Sequence, residues 1–204
     1  MFSLVGMAQA QEINEQNPYE LVKGVASKTF DRIKANQEAV KADPEMLRTI
    51  MEEELVPHID YKFAAFMVLG KHFKSVPQEK MGEYISVFRQ YLITTYAVAM
   101  GYYDNQEVIF EPESNFEDQK SVTVRAVVQD PERPEIKIAF KVRKDSKTNE
   151  WKAYDMVAEG ISLLSSKQSE FESILRKDGL QKVIDLMKDT ISKPINIDSK
   201  KDKA

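Results

Sequence analysis

The sequence predicts an α+β fold in which a four-stranded antiparallel sheet is covered on one face by N- and C-terminal helices. Three observations carry the prediction. Hydrophobic residues keep a helical period up to Tyr103, alternate with a period of 2 from Gln106, and return to helical spacing at Ser165. Each alternating segment has one polar and one apolar side, so one face of the sheet needs a cover, and only the flanking helices can supply it. The stretch from Pro77 to Tyr103 is apolar over roughly 200° of a helix, wider than the ~100° stripe of an ordinary surface helix. Its second half closes the circle with Ile93, Ala97 and Met100, so protein or an apolar ligand must cover it on all sides.

In chain order, Asn17-Pro18 opens a first helix with a capping residue and a proline at its first position. Leu21, Val22, Val25, Ala26, Thr29, Phe30 and Ile33 form its apolar stripe. Asp43-Pro44 opens a second helix carrying Met46, Leu47, Ile50, Met51 and Leu55, which Val56-Pro57 stops. Asp60 caps a third helix, in which Phe63, Phe66, Leu69 and, beyond Gly70, Phe73 are unusually large for so short a segment. Pro77 begins the central helix. Strands follow at Glu107 to Glu111, Ser121 to Gln129, Glu135 to Lys144 and Trp151 to Val157. Asp130-Pro131-Glu132-Arg133-Pro134 and Asp145 to Asn149 are the hairpin connections. Phe171, Ile174 and Leu175 mark a further helix, broken at Asp178-Gly179 and resumed through Leu180, Val183, Ile184, Met187 and Ile191 until Pro194.

The chain has 204 residues, 42% hydrophobic and 30% charged, which fits one soluble domain with a sizeable core. A net charge of -4 provides no basic field for a nucleic-acid backbone. There are no cysteines, which removes disulfides, thiolate catalysis and zinc-thiolate sites. Residues 1–10, MFSLVGMAQA, end in the small-x-small pattern of a secretory cleavage site and are expected to be the remainder of a signal peptide. Cleavage after Ala10 leaves Gln11 first, so no cysteine is available for a lipid anchor. The expected domain is 11–195, and 196–204 a charged, disordered tail.

Few motifs point to chemistry. His58 and His72 lack any metal-ligand spacing, and no nucleophile elbow or glycine-rich phosphate loop occurs among only seven glycines. No metal or cofactor is expected. Asp155, inside the apolar run Tyr154-Asp155-Met156-Val157, is the one residue that argues for catalysis, since a carboxylate against apolar walls can serve as a base. Alternation leaves its direction open, and the stronger structural reading is a carboxylate that accepts hydrogen bonds at a strand's end. Lys71, Lys74, Arg89, Arg125 and Arg143 are candidates for an anionic headgroup, each at a place where a solvated face also puts a charge.

Several segments together resemble the MlaC family of periplasmic phospholipid-binding proteins, also called the toluene-tolerance auxiliary family. They are Val68-Leu69-Gly70-Lys71-His72-Phe73, Phe88-Arg89-Gln90-Tyr91-Leu92, and the long irregular run WKAYDMVAEGISLLSSKQSEF from Trp151 to Phe171. The resemblance implies a deep apolar cavity between helices and sheet, no catalysis, and a soluble monomeric carrier in the periplasm. Phospholipid is its cargo, exchanged with an inner-membrane ABC transporter bearing an MCE-domain ring and an outer-membrane lipoprotein-porin complex. From the apolar faces, the expected lipid-binding residues are Phe66, Leu69 and Phe73, then Phe88, Leu92 and Tyr96, and on the sheet Val124, Val128, Ile138, Phe140 and Val142. Core packing is the competing expectation for each. Two rival readings remain: an isomerase-like enzyme with Asp155 as base, and a chaperone-like periplasmic protein with an open apolar groove.

Overall fold

A computed structural model describes residues 13–103, 106–131 and 133–197. The expected signal segment and the residues from Asp198 onward lie outside the described residues.

The centre of the fold is a long hairpin, β2 (Ser121–Asp130) with β3 (Arg133–Lys144). β1 (Glu107–Phe110) pairs with β2, and β4 (Trp151–Ala158) with β3, all antiparallel. The sheet has five strands, not four. Ile161–Ser162 forms a short β5 that returns along the end of β4, pairing Ala158 with Ile161 and Val157 with Ser162. Glu159 and Gly160 make that turn with φ of 49° and 79°, the two positive values of a type I′ hairpin. Glu-Gly lacks the Asn or Asp that usually announces such a turn, which is why this strand did not stand out in the sequence.

Before the sheet, α1 (Pro18–Ala35) starts where the Asn17 side chain accepts the Tyr19 and Glu20 N–H groups. A short α2 (Gln37–Ala42) leads to α3 (Met46–Ile50), which widens into a five-residue π-helical turn at Met51–Leu55 and tightens into a 3-10 turn at Val56–His58. Pro57 lies in that last turn. Asp60 caps α4 (Tyr61–Leu69) through the Phe63 N–H, and a 3-10 turn at Gly70–Ser75 leads to α5 (Gln78–Met100). After the sheet, α6 (Leu163–Lys177) and α7 (Gly179–Ser192) return to the helical layer.

Protein covers α5 on two sides. Tyr84, Phe88 and Tyr91 pack with Ala65, Val68 and Leu69 of α4, Phe171 of α6, and Val183, Ile184 and Met187 of α7. Ile93 and Ala97 pack with Ile33, Leu47, Ile50 and Met51. Ile195, at the end of the expected domain, is buried in this second cluster, and Ile197 packs against it. A third cluster joins Tyr19, Leu21, Val22 and Val25 of α1 to Val124, Val142 and Trp151 of the sheet. The chain segment before α1 is tied to β4, where the Trp151 N–H donates to the Glu15 carbonyl at 2.8 Å.

A candidate apolar binding site

Between the sheet and the helices lies a cavity of about 390 Å³. Because directly opposed residues in an antiparallel ladder share a face, Val108, Val128 and Ile136 project together, as do Phe140 and Met156 four residues further along β3. These five side chains and Ile138 form the sheet wall. Facing them, α1 contributes Val25, Ala26 and Phe30, the π-helical turn Met51 and Leu55, and the end of α5 Tyr96, Ala99 and Met100. Ile136 is 46% exposed while lining the cavity, which places an opening at the hairpin end of the sheet.

Polar side chains in the lining are few, and the buried Asp155 is one of them. His58 and Arg133 border the cavity, with Gln106 and Asp130, whose side chains hydrogen-bond at 3.1 Å. The His58 Nδ1 is 2.8 Å from Glu15 Oε1. Burial, and then the nearby Asp155 carboxylate, push the Tyr96 hydroxyl up to about 12, so it stays a neutral phenol at any physiological pH. Tyr96 is half-buried and lines the cavity. Among the described residues there is no group of three or more acidic, histidine or cysteine side chains that could hold a metal. No helix among them is long and apolar enough to cross a membrane.

Asp155 is 6% exposed, and both of its oxygens are engaged. Oδ2 accepts from Ser162 Oγ at 2.7 Å and pairs with Lys141 at 3.0 Å, while Oδ1 accepts the Leu164 N–H at 3.1 Å. Ser162 in turn caps α6 by accepting the Ser165 N–H. The carboxylate therefore joins β4 to the start of α6, the structural alternative expected for it. A bulge explains why alternation could not aim it. Lys141 pairs with Asp155 but Val142 pairs with Ala153, so Tyr154 is an extra residue and the facing parity switches there.

Of the eleven side chains expected to bind lipid, the structure brings Tyr96, Val128, Ile138 and Phe140 together on the cavity. Leu69 and Phe88 are buried in the cluster around α5, and Leu92 packs against it. Val124 and Val142 lie in the solid cluster with Trp151. The Phe66 and Phe73 rings meet at a tilt of 59° with centroids 4.9 Å apart, and Phe73 is exposed. Among the basic candidates, Lys71 pairs with Glu172, Arg89 with Glu52 at 2.9 Å and Arg143 with Asp60 at 2.6 Å. Neither these nor Lys74 and Arg125 line the cavity, whereas Arg133 does. Sequence reasoning missed the α1 wall, because Val25, Ala26 and Phe30 keep the same spacing a packed core would use.

Comparison with known proteins gives consistent results. The sequence model of the MlaC protein family matches residues 23–189. A Haemophilus influenzae protein named intermembrane phospholipid transport system binding protein MlaC is 35% identical over 184 residues, covering 90% of this chain and 86% of that protein. Toluene tolerance protein ttg2D of Pseudomonas putida is 22% identical over 173 residues, 83% of this chain and 79% of its own length. Among solved structures, a phospholipid-binding protein from Ralstonia solanacearum, determined in complex with a phospholipid, superposes with a TM-score of 0.76 at 21% identity. The match covers 86% of this chain and 97% of that one, and it shows a shared fold.

Proposed function

From the premise that the chain belongs to the MlaC family, we propose that it is a phospholipid carrier whose cavity shields acyl chains from water. The observation that supports this reading is the apolar cavity between sheet and helices, with few polar groups in its lining. The relatives are named for binding and transport, and the role proposed here is carriage rather than catalysis. Each buried methylene is worth about 0.8 kcal/mol, so the roughly thirty methylenes of a diacyl lipid oppose bare passage through water by on the order of 25 kcal/mol. A carrier must match that in a dry site without exceeding it, since a much tighter site could not release its cargo.

The 390 Å³ of the cavity sets a second condition. At the roughly 30 Å³ that a water-sized group occupies, it holds about a dozen methylenes, most of one acyl chain. A second chain must extend through the opening beside Ile136 or part the sheet wall from α1. In this reading residues 11–195 are the lipid-binding domain, residues 1–10 direct export to the periplasm, and the cargo passes between an outer-membrane and an inner-membrane complex. Tyr96, Val128, Ile138 and Phe140 are the proposed chain contacts.

Native mass spectrometry with lipid extraction, on protein prepared from a bacterial periplasm without detergent, tests the reading. A mass increment of a diacyl phospholipid is expected. A bare polypeptide that also takes up no labelled lipid from liposomes would overturn it.

A further inference from the structure

One helix carries more apolar surface than the protein covers. α4 buries Ala64, Ala65, Val68 and Leu69, and its other side carries Phe63, Phe66 and Met67 at helical spacing. Phe63 meets the cavity-lining Tyr154 edge-on at 5.1 Å, but further along the stripe Met67 is 45% exposed. Phe73, from the following 3-10 turn, extends the stripe by packing at a tilt on Phe66 and is 41% exposed. A helix that is apolar on both sides needs cover on both.

Charge indicates what the cover is. From Tyr61 to Ser75 there are three lysines and a histidine and no acidic residue, in a chain of net charge -4. Lys62 and Lys74 are exposed and make no ion pair with any described residue. Lys71 is bound to Glu172, and that acid is itself outnumbered. The hydrogen bond from Lys71, then the charges of Lys71, Arg176 and His72, hold its carboxyl below the usual range. Exposed lysines in the same segment as exposed Phe and Met complement a negatively charged, apolar-backed surface. The cores of protein interfaces favour Phe and Met as well as arginine, tyrosine and tryptophan, but they are depleted in lysine, whereas lysines flanking an apolar helical stripe are what a headgroup layer receives.

We propose that the outward stripe Phe66, Met67 and Phe73, together with Lys62, Lys71 and Lys74 of the same segment, is a docking surface for an anionic phospholipid bilayer. The apolar side chains enter the headgroup layer while the lysines stay at the phosphates. The proposal goes beyond the carrier reading and stands independently of what fills the cavity.

The test is flotation of the full chain with vesicles of phosphatidylethanolamine and phosphatidylglycerol, against vesicles of phosphatidylcholine alone. The protein should float with the anionic vesicles, and less so as salt is raised. Removing two lysines, Lys62→Ala with Lys74→Ala, should weaken binding roughly 30-fold, at about fivefold per cation. Lys62→Arg with Lys74→Arg should keep it. Met67→Ser with Phe73→Ser should weaken it about tenfold or more. Lys62, Lys74, Met67 and Phe73 are all exposed, so circular dichroism should be unchanged. The cavity variant Ile138→Glu should float like the parent chain, which separates docking from loading. A parent chain that stays unbound, or lysine and apolar variants that float as well as it does, overturns the proposal and leaves the stripe to a polypeptide partner.

Discussion

Placing a carboxylate in the sheet wall should convert lipid loading into a pH-dependent event. Ile138 is suited to this, because it lines the cavity and its ladder neighbours are the small Ala126 and Ala158. In an empty, water-accessible cavity the carboxyl introduced by Ile138→Glu ionises near its ordinary pKa of about 4.3. An acyl chain entering the cavity strips its water, so it must be protonated first. At pH about 7.5 that costs about 3.2 pKa units, roughly 4 kcal/mol or a thousandfold in affinity, and at pH about 5.5 only about 1.2 units or some fifteenfold. The sign follows from the raised pKa in the loaded state: loading is favoured at low pH and falls about tenfold per unit as pH rises. The assay is lipid per protein after incubation with liposomes at both pH values, with Ile138→Gln as a pH-independent control. The same charge at fully buried Val124, one ladder step away on β2, should unfold the domain instead. A folded Ile138→Glu protein that loads equally at both pH values would refute the cavity as the lipid site.

Three further outcomes follow from particular contacts. Asp155→Ala leaves the Leu164 N–H and the Ser162 cap without their acceptor and should cost about 2–4 kcal/mol in chemical denaturation, while lipid loading of the folded fraction persists. Glu54, in the π-helical turn, is held below the usual carboxyl pKa: burial opposes the shift, but hydrogen bonds and charge from Lys28 and Arg32 outweigh it. Its stabilisation is therefore complete above its unfolded pKa of about 4.5 and is lost as pH falls through the lower folded value, and Glu54→Gln should reduce stability by about 1–3 kcal/mol at neutral pH and flatten the acid limb of the denaturation curve. Gly70 has φ 52° and ψ -126°, a conformation that side chains do not tolerate, and a Cβ there also meets Gln168. Gly70→Ala should lower stability by about 1–3 kcal/mol in thermal unfolding.

The sequence revealed the layers better than the site. Alternation in Ser121 to Gln129 and Glu135 to Lys144 placed the two central strands and their shared dry face, because a two-residue period survives wherever a ladder is regular. It failed at Tyr154, where the bulge changes parity without leaving a mark in composition. It also could not separate Val124 from Val128, which have the same residue type on the same face, although one is in a solid cluster and the other on the cavity. The apolar circumference of α5 called for cover on all sides; α4, α6 and α7 supply most of it, but Val98 stays 38% exposed and off the cavity. Only the last turn of the helix, with Tyr96, Ala99 and Met100, reaches the cavity.

What decides core or cavity is a mismatch of lengths and sizes. β3 has 12 residues and spans about 40 Å, whereas the 18 residues of α1 span about 27 Å. One helix of that length cannot seal the whole dry face. At the end near Trp151 the large side chains Tyr19, Phe116 and Trp151 fill the gap, with Phe116 edge-on to the indole at 6.2 Å. Toward the hairpin the helices present Ala26 and Ala99 to Val128, Ile136 and Ile138, and these small residues leave the space unfilled. Small residues on interior stripes opposite a strand's far half are thus the sequence trace of the cavity. Filling them tests the idea without introducing charge: Ala26→Leu with Ala99→Leu should raise the thermal midpoint of the empty protein while lowering its lipid content, the opposite of what overpacking a solid core does.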